Sequence, residues 1–567
     1  MVSSRVHDAL YAPNQVVQSL WKTSQQASPR QDISKLIDDF PGVVESHFRA
    51  VVNSESSLKE IRSPRTRHAL ESTPEGTLVR MRLMVQDNSI SPEIYLAQQP
   101  NGLPGGWAIE HSQSPMVEVD EPHPSSSENV DYAKLRERHV LWAVQVPGES
   151  SWPSELLDGD TGSDVEATIS HEPFFGDYKS PNGELGLQLK IYGQAPKLSP
   201  TDVATFVGIL DREPYVGSQS HDSPLIPTLH VVYWQPNPVT LLQESEFPAS
   251  DPAVNEVDEW PTMIDMIAEA LGGDRDAAKL VVLCAVSGGR DAKSPTNSPI
   301  SVSLTGFPAA PTPSAVPTIV AILGELLPLV SHIPLTLDFL NTTSIAPYSE
   351  PSKEDLSAGR LQLPSGSLVI FDERVEEGKL IERGIVTQFP CVDNVRAIQD
   401  ILTRQTLAYR FPYSSFDFKT NISSIIVTEG KREALFVKTD LCIPVRPRPD
   451  SNLYAPLPPS DKLLALRRLM FRIKTGNQSG LKAAPALTEH IQEMFVRDRQ
   501  AERASGGRKD DISAVDEYGL RMRLSKTMAL ALGLSEITCE AFDTVADLDK
   551  RRIQRLKELP LGSGPAP

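Results

Sequence analysis

The run Leu368-Val369-Ile370-Phe371-Asp372-Glu373 sets four apolar residues ahead of two adjacent carboxylates. That order predicts a buried strand ending at a polar edge. In P-loop NTPases an acidic residue so placed holds Mg²⁺ beside the nucleotide phosphates, and a second acid could orient water. The chemistry also needs a phosphate loop, G-x-x-x-x-G-K-[ST], in which glycines allow backbone approach, a lysine reaches the phosphates and a hydroxyl meets the metal. The nearest upstream strand with a glycine turn is Ile300 to Phe307. Its loop reads Thr305-Gly306-Phe307-Pro308-Ala309-Ala310-Pro311, with no lysine and with prolines that lack amide donors. Ser287-Gly288-Gly289-Arg290-Asp291-Ala292-Lys293-Ser294 has the Lys-Ser pair, but Ser287 and Ala292 stand where glycines are required, and a helical pattern precedes it. Asp372 and Glu373 therefore read as a degenerate Walker-B-like pair without a phosphate loop. Two readings follow: a solvated strand end, or a nucleotide-binding-like fold that has lost its nucleotide. Hydrolase patterns are absent: there is no G-x-S-x-G, and His171-Glu172 runs into Pro173, which bars a zinc-protease helix. No catalytic, cofactor or metal residue is assigned.

The 567 residues are 40% hydrophobic and 23% charged, enough for about two or three globular domains. The 48 prolines bunch in linkers. No run approaches the ~20 apolar residues of a membrane span, and Met1 to Asp8 lacks the apolar core of a signal peptide. Cys284, Cys391, Cys442 and Cys539 are scattered, as expected of reduced intracellular thiols rather than a disulfide frame or metal site. A net charge of −19 argues against DNA as the main partner, because phosphate binding needs a dominant basic surface.

Around the carboxylates, residues 259–445 alternate helical and strand patterns, predicting a mainly parallel sheet covered on both faces. Helices are expected at Trp260 to Leu271, Asp274 to Val286, Val316 to Val330 and Asn394 to Thr406. Strands are expected at Ile300 to Leu304, Leu335 to Leu340, Leu368 to Phe371, Ser423 to Thr428 and Ala434 to Thr439. Residues 461–560 are helical, in the organisation of an AAA+ module with its lid. The basic run Lys550 to Lys557 reads as an exposed helix end or an import signal. A Pro-rich linker at 446–460 joins these parts.

Upstream, residues 71–240 read as a β-rich domain, whose stretch 77–97 changes to period-two patterning. Strands are expected at Leu78 to Val85, Glu93 to Ala97, Val140 to Val146, Leu185 to Tyr192, Val203 to Leu210 and Thr228 to Trp234, which predicts a small antiparallel barrel or sandwich, the barrel being OB-like. Val119 to Asp131 and Trp152 to Asp164 read as acidic, disordered loops. Arg80, Arg82, Tyr95, Trp142 and Tyr192 are the residue types of a single-strand-binding groove; the simpler reading puts the aromatics in the core and the arginines in solvent. His230 reads as an ordinary histidine without a second ligand. Residues 241–258 form an acidic linker. Residues 1–70 form a helical or loose segment: Met1 to Arg30 polar and loose, Ile33 to Val51 helical with Pro41 kinking or splitting it, and Ile61 to Glu71 a polar connection.

Several of these stretches carry a resemblance. Leu78-Val79-Arg80-Met81-Arg82-Leu83-Met84-Val85-Gln86-Asp87, then Pro92-Glu93-Ile94-Tyr95-Leu96, are its most specific blocks. Val144 to Trp152, Phe206 to Leu210, Pro227 to Tyr233, Val302 to Gly306, Leu361 to Pro364, Phe371-Asp372-Glu373 and Thr428-Glu429-Gly430 support them in order. Together they resemble the mini-chromosome maintenance (MCM) complex-binding protein family from about residue 32 to 558, with Pro- and Ser-rich insertions of a divergent, fungal type. The resemblance implies a non-enzymatic, cofactor-free nuclear protein that binds subunits of the MCM replicative helicase. It implies roles in helicase assembly, in unloading from chromatin and in sister-chromatid cohesion. Chromatin association is then through the helicase, with no membrane and no strong direct nucleic-acid binding. Two alternatives stand beside it: a single-stranded-DNA-binding replication factor using the barrel, and an AAA+ ATPase.

Overall fold

The computed structural model describes residues 4–27, 32–52, 55–109, 131–153, 156, 185–215, 225–237, 241–242, 247, 259–288, 298–349, 356–374, 389–429, 438–456, 461–476, 481–504 and 511–558. The protein is a mixed α/β chain with several sheets. The acidic loop Val119 to Asp131, the segment 157–164 and the His171-Glu172 pair lie outside the described residues, Asp131 excepted.

The chain starts with α1 (Ser4–Tyr11), α2 (Pro13–Ala27), α3 (Ile33–Val51), α4 (Glu55–Glu60) and α5 (Arg67–Glu71). The expected loose start is therefore wrong. Ala9, Pro13, Val17 and Trp21 recur every fourth residue and are buried. A stripe one residue wide has little contrast in a polar sequence, yet it suffices once a partner surface covers it. The polar connection is likewise helical at α5, where Leu70 is buried. Pro41 does not split α3, which runs unbroken through it.

Strands β1 (Leu78–Asp87), β2 (Glu93–Leu96), β3 (Leu135–Gln145), β4 (Gly186–Tyr192), β5 (Val203–Pro214) and β6 (Leu225–Pro236) form the first sheet. Its order is β1-β5-β6-β4-β3-β2, and an added β1–β3 pairing closes five of the strands into a ring. Only β4–β6 is parallel. Alternate residues fill the interior, among them Met81, Leu83, Leu189, Phe206 and Leu229, as the two-residue strand period requires. The outer faces of β1, β5 and β6 carry Leu78, Ile209 and Tyr233, on which Trp21, Phe40, Val44 and Phe48 of α2 and α3 pack. Gly208 sits at a bulge where a Cβ would stand 2.6 Å from the carbonyl oxygen of His230.

The second half begins with α6 (Glu259–Ala270), α7 (Arg275–Ala285), β7 (Ser301–Thr305), α8 (Thr318–Leu326), β8 (Val330–Leu335) and α9 (Leu337–Thr342). It continues with β9 (Tyr348–Ser349), β10 (Leu356–Ser357), β11 (Leu368–Glu373), α10 (Phe389–Arg404), β12 (Thr406–Phe411), β13 (Ser414–Lys419), β14 (Ser423–Thr428) and β15 (Leu441–Pro444). The core sheet has the order β15-β7-β14-β11-β8, with every pair parallel. Leu368 and Ile370 face a layer containing α6, α7, α8 and the C-terminal helices. Val369 and Phe371 face α10 and a second sheet of order β10-β9-β12-β13. Burial on both faces explains the unbroken apolar spelling of β11.

Two expectations here are corrected. The helix over Val316 to Val330 ends at Leu326, and Leu335 to Leu340 is not a strand: β8 precedes it and α9 follows. Pro334 obscured β8, but β8 is the terminal strand of its sheet, where proline is tolerated. The expected strand Ala434 to Thr439 falls mostly outside the described residues, 434–437 being among those not described; β15 follows it. The hairpin β12–β13 went unforeseen because β13 is mostly exposed and shows no apolar alternation.

Helices α11 (Leu463–Thr475), α12 (Pro485–Ala504), α13 (Asp511–Ala531) and α14 (Cys539–Glu558) complete the chain, with β16 (Lys482–Ala483) pairing to β17 (Glu536–Ile537). Among the described residues no helix is long and apolar enough to cross a membrane. Barrel and core sheet are joined along β8. Val330 N–H donates to the Gly148 carbonyl at 2.7 Å and Ser150 N–H to the Pro328 carbonyl at 2.9 Å. Trp152 Nε1 donates to Gly324 O at 3.2 Å. Gly148 has φ +72°, and a Cβ there would lie 3.1 Å from Val330 O, so glycine is required.

Candidate functional site

Asp372 and Glu373 close β11 at the carboxyl end of the parallel sheet. Both are buried, Asp372 at 3% exposure, which corrects the solvated-strand-end reading. Asp372 is taken by the next residue but one: Arg374 Nε donates to its Oδ2 at 2.9 Å, and Arg374 Nη2 donates to the same oxygen. His332 on β8 lies 3.6 Å away. Burial pushes the Asp372 carboxyl up, but the nearby His332 ring and the hydrogen bonds from Arg374 outweigh it and hold the group below the usual carboxylate range.

The same guanidinium donates to the carbonyls of Pro313 and Ala315. These belong to the loop between β7 and α8, where a phosphate loop would stand. Phe307 N–H donates to Thr428 O at 3.0 Å and Tyr454 OH to Pro308 O at 3.1 Å. The loop polarity is thus inverted. A phosphate loop turns amides toward an anion; this one turns two carbonyl oxygens toward a cation. Arg374 supplies the positive charge that a metal ion would bring to Asp372. The near-miss at Ser287 falls at the opposite end of the sheet. Ser287 Oγ accepts from Ile300 N–H at 2.8 Å and donates to Cys284 O at 2.6 Å. Residues 289–294 of that motif lie outside the described residues.

A second cluster was not legible in advance. Lys190 on β4 is buried and ion-pairs with Glu213, and with Glu93 at 2.7 Å. Arg138 Nε donates to Glu93 Oε2 at 2.8 Å. His230 Nε2 lies 2.8 Å from Glu213 Oε1, and its Nδ1 is 2.6 Å from the Tyr192 hydroxyl. Burial pushes Glu213 up, but the hydrogen bond and charge of His230 and the Lys190 ammonium hold it well below the carboxylate range. Asp211, Glu213 and His230 lie within metal-ligating distance of one another. The Lys190 ammonium already sits on Glu213, with Arg138 behind it, so the donor set carries its own cations and does not fit a metal. His230 is nevertheless no isolated core histidine. The signal was Lys190 inside an apolar run and Asp211/Glu213 two apart on one strand face; their partners are too distant in sequence to pair by eye.

Of the five residues weighed for a nucleic-acid groove, Tyr95 and Tyr192 meet inside the core rather than on a groove. Tyr192 stacks on Trp107 at 4.1 Å and meets Tyr95 edge-on at 5.2 Å, while Trp142 packs on Tyr215. The aromatics are buried, as the simpler reading had it. The arginines are not solvated: Arg80 and Arg82 are half-buried, and Arg82 ion-pairs with Glu149. The basic run on α14 is likewise no bare exposed end. Arg555 pairs with Asp274 at 2.6 Å, Arg551 with Asp276 at 3.0 Å and Arg552 with Asp549 at 2.7 Å.

One further buried cation is Lys474 on α11, which donates to the carbonyls of Gly366 and, at 3.4 Å, Ala285. Burial lowers its pKa to about 8. The unfolded chain then holds this proton more tightly than the folded one. Stability should rise with pH from about 8 to the ordinary lysine value near 10.4 and level above it. Unfolding free energies measured across that window should lose this rise in Lys474→Met relative to the parent; an unchanged difference curve would refute the assignment.

Comparison with known sequences adds the following. A family model described as mini-chromosome maintenance replisome factor matches residues 48–174 and 180–556. A protein of Arabidopsis thaliana named mini-chromosome maintenance complex-binding protein is 24% identical over 588 residues, covering 91% of this chain and 94% of its own. The Gallus gallus protein of that name is 22% identical over 666 residues, 98% of each chain. The Drosophila melanogaster one is 29% identical over 250 residues, covering 43% of this chain and 38% of its own.

Proposed function

From the premise that this chain belongs to the mini-chromosome maintenance replisome factor family, we propose that it is a non-catalytic binding protein of the MCM helicase. It acts in the nucleus on assembly or unloading of helicase subunits, with a link to sister-chromatid cohesion, and it reaches chromatin through the helicase. Its relatives are named for binding the MCM complex.

The observation that carries the non-catalytic reading is Arg374, bound at once to Asp372 and to the carbonyls of Pro313 and Ala315. We read the parallel sheet as AAA+-like. In chain order its strands run fifth, first, fourth, third, second, with a strand–loop–helix unit at β7–α8 and an acidic pair ending the third strand. The metal position is filled from within, and the loop lacks both lysine and inward amides, so a subunit-like body is retained without turnover. We read the closed ring of β1 and β3–β6 as OB-like. The face of β3 and β4, where such barrels bind nucleic acid, carries Arg136, Arg138 and Lys190. These are neutralised by Asp38, Glu93 and Glu213, and α3 lies beside them. That disfavours the single-strand-binding alternative.

The test is size-exclusion chromatography of the full chain with each purified helicase subunit, with and without ATP. Co-elution with one or a few subunits, indifferent to ATP, is expected. Failure to co-elute with any subunit, or ATP turnover by the chain itself, would overturn the reading.

A further inference from the structure

The hairpin β12–β13 presents an unfinished surface. Its base is fixed: Leu407 and Tyr409 are buried, Tyr409 OH accepts from Gln362 Nε2 at 2.9 Å, and Arg410 pairs with Asp393 on α10. Gln362 also reaches the barrel, donating to Gln86 O at 3.3 Å. Beyond that base the apolar face continues with nothing over it among the described residues. Tyr413, in the two-residue turn Pro412-Tyr413, is 100% exposed, and Phe416 is 56% exposed. Phe411 and Phe416 meet edge-on at 5.8 Å. Surface aromatics gathered on a rigid support mark recognition sites more often than isolated apolar residues do.

The backbone is as open as the side chains. β13 is the terminal strand of its sheet and pairs only with β12 among the described residues. The register runs Phe411↔Ser414, Arg410↔Ser415 and Tyr409↔Phe416. Arg410 N–H points away from β13, to Pro347 O at 3.1 Å, and Thr420 N–H donates to Gln405 O at 2.8 Å. Antiparallel ladders alternate bonded and non-bonded pairs. Ser414, Phe416 and Phe418 therefore bond to β12, while the amides of Ser415, Asp417 and Lys419 face outward. No proline or bulge blunts this edge, though proteins commonly protect such edges.

We propose that β13 is a docking edge for an extended segment of a helicase subunit, which adds as an outer strand and lays apolar side chains over Phe411, Tyr413 and Phe416. This rests on the helicase-binding reading above. Main-chain hydrogen bonds to an exposed edge, with pockets for alternate side chains, are an established mode of peptide recognition. Asp417 and Lys419, both exposed and two apart, select a segment that sets a basic residue against the first and an acidic one against the second. A second copy of this chain fits less well. Six residues span only about 20 Å, so two such edges bury far less than the roughly 1,200 Å² of a stable interface, and a charge of −19 on each copy opposes their approach.

The test uses the full chain and the subunit that co-elutes with the parent protein. Two variants are compared: Tyr413→Ser with Phe416→Ser, which strips the apolar face, and Asp417→Pro, which removes one outward amide and spares the β12 ladder. Melting curves confirm folding, and if the proline variant does not fold the serine pair alone decides. Each is expected to weaken subunit binding by at least about tenfold. Parental affinity in both variants, beside a binding parent, overturns this docking edge and leaves the helicase-binding reading standing. A parent that binds no subunit overturns both. A parent that is dimeric, with monomeric variants, assigns the edge to a second copy. Lower melting temperatures with unaltered subunit binding assign it to another part of this chain.

Discussion

Replacing Arg374 with alanine is expected to destabilise the second half of the chain by roughly 3–5 kcal/mol, the usual cost of stranding one member of a buried ion pair. The Asp372 side chain is 5% exposed and that of Arg374 12%, so little water reaches the carboxylate once the guanidinium is gone. The loop between β7 and α8 also loses the donor that holds Pro313 O and Ala315 O. Guanidinium unfolding of the single variant and of Asp372→Asn/Arg374→Ala gives a sharper check. The double variant removes both charges and should recover part of the loss. An Arg374→Ala chain within 1 kcal/mol of the parent, roughly the value of an exposed pair, would refute the packing argument. The acid limb follows from the same pair. Asp372 is held below its ordinary pKa, so its contribution is complete above the ordinary carboxylate range and is lost as pH falls through the folded value. Arg374→Ala should flatten that limb. Neither variant is expected to bind ATP, because Pro308, Pro311 and Pro313 still withhold amides from the loop.

Lys190→Met is the second large effect, also expected at about 3 kcal/mol or more. Lys190 is 1% exposed and serves two carboxylates. Methionine keeps most of its aliphatic stem but leaves Glu93 and Glu213 facing each other with Arg138 as the fixed cation beside them. The loss should appear in tryptophan fluorescence, since Trp21, Trp107, Trp142 and Trp234 all sit in or on the barrel. It should also diminish with pH in a definite direction. Glu213 and Glu93 are held below their ordinary values in the folded chain, so the parent's advantage is full above the ordinary carboxylate range and declines as pH falls through the folded values. Equal urea midpoints for parent and variant near neutral pH would dismiss the network as a stabilising element.

How much of this was legible in the sequence depends on contrast. β1 alternates apolar residues with Arg80 and Arg82, and β11 opens with four apolar residues ahead of its two acids, so both announced themselves. Helices α1 and α2 show one apolar residue per turn, and their burial depends on a barrel surface elsewhere in the chain. β13 is exposed along almost its whole length and has no pattern to read. The carboxylates Asp372 and Glu373 were found by type and place, but Arg374 was passed over because its target carbonyls lie about sixty residues upstream. The stretch Pro147 to Ser151, noted for resemblance alone, lies at the seam between barrel and sheet, which Gly148, Ser150 and the adjoining Trp152 hold.

The pairing of α14 with α7 bears on how the protein comes off the ribosome. Arg555 and Arg551 close on Asp274 and Asp276 across 275 to 281 residues of chain, and β15 borders β7 from 139 residues further on. Chains lengthen at roughly 5–20 residues per second, so β7 waits for some seconds with both flanks open, since β14 and β15 both come later in the chain. Its helical cover cannot lock until the last turns of α14 have left the exit tunnel. The barrel has no such dependence and is free to form while the rest is still being made.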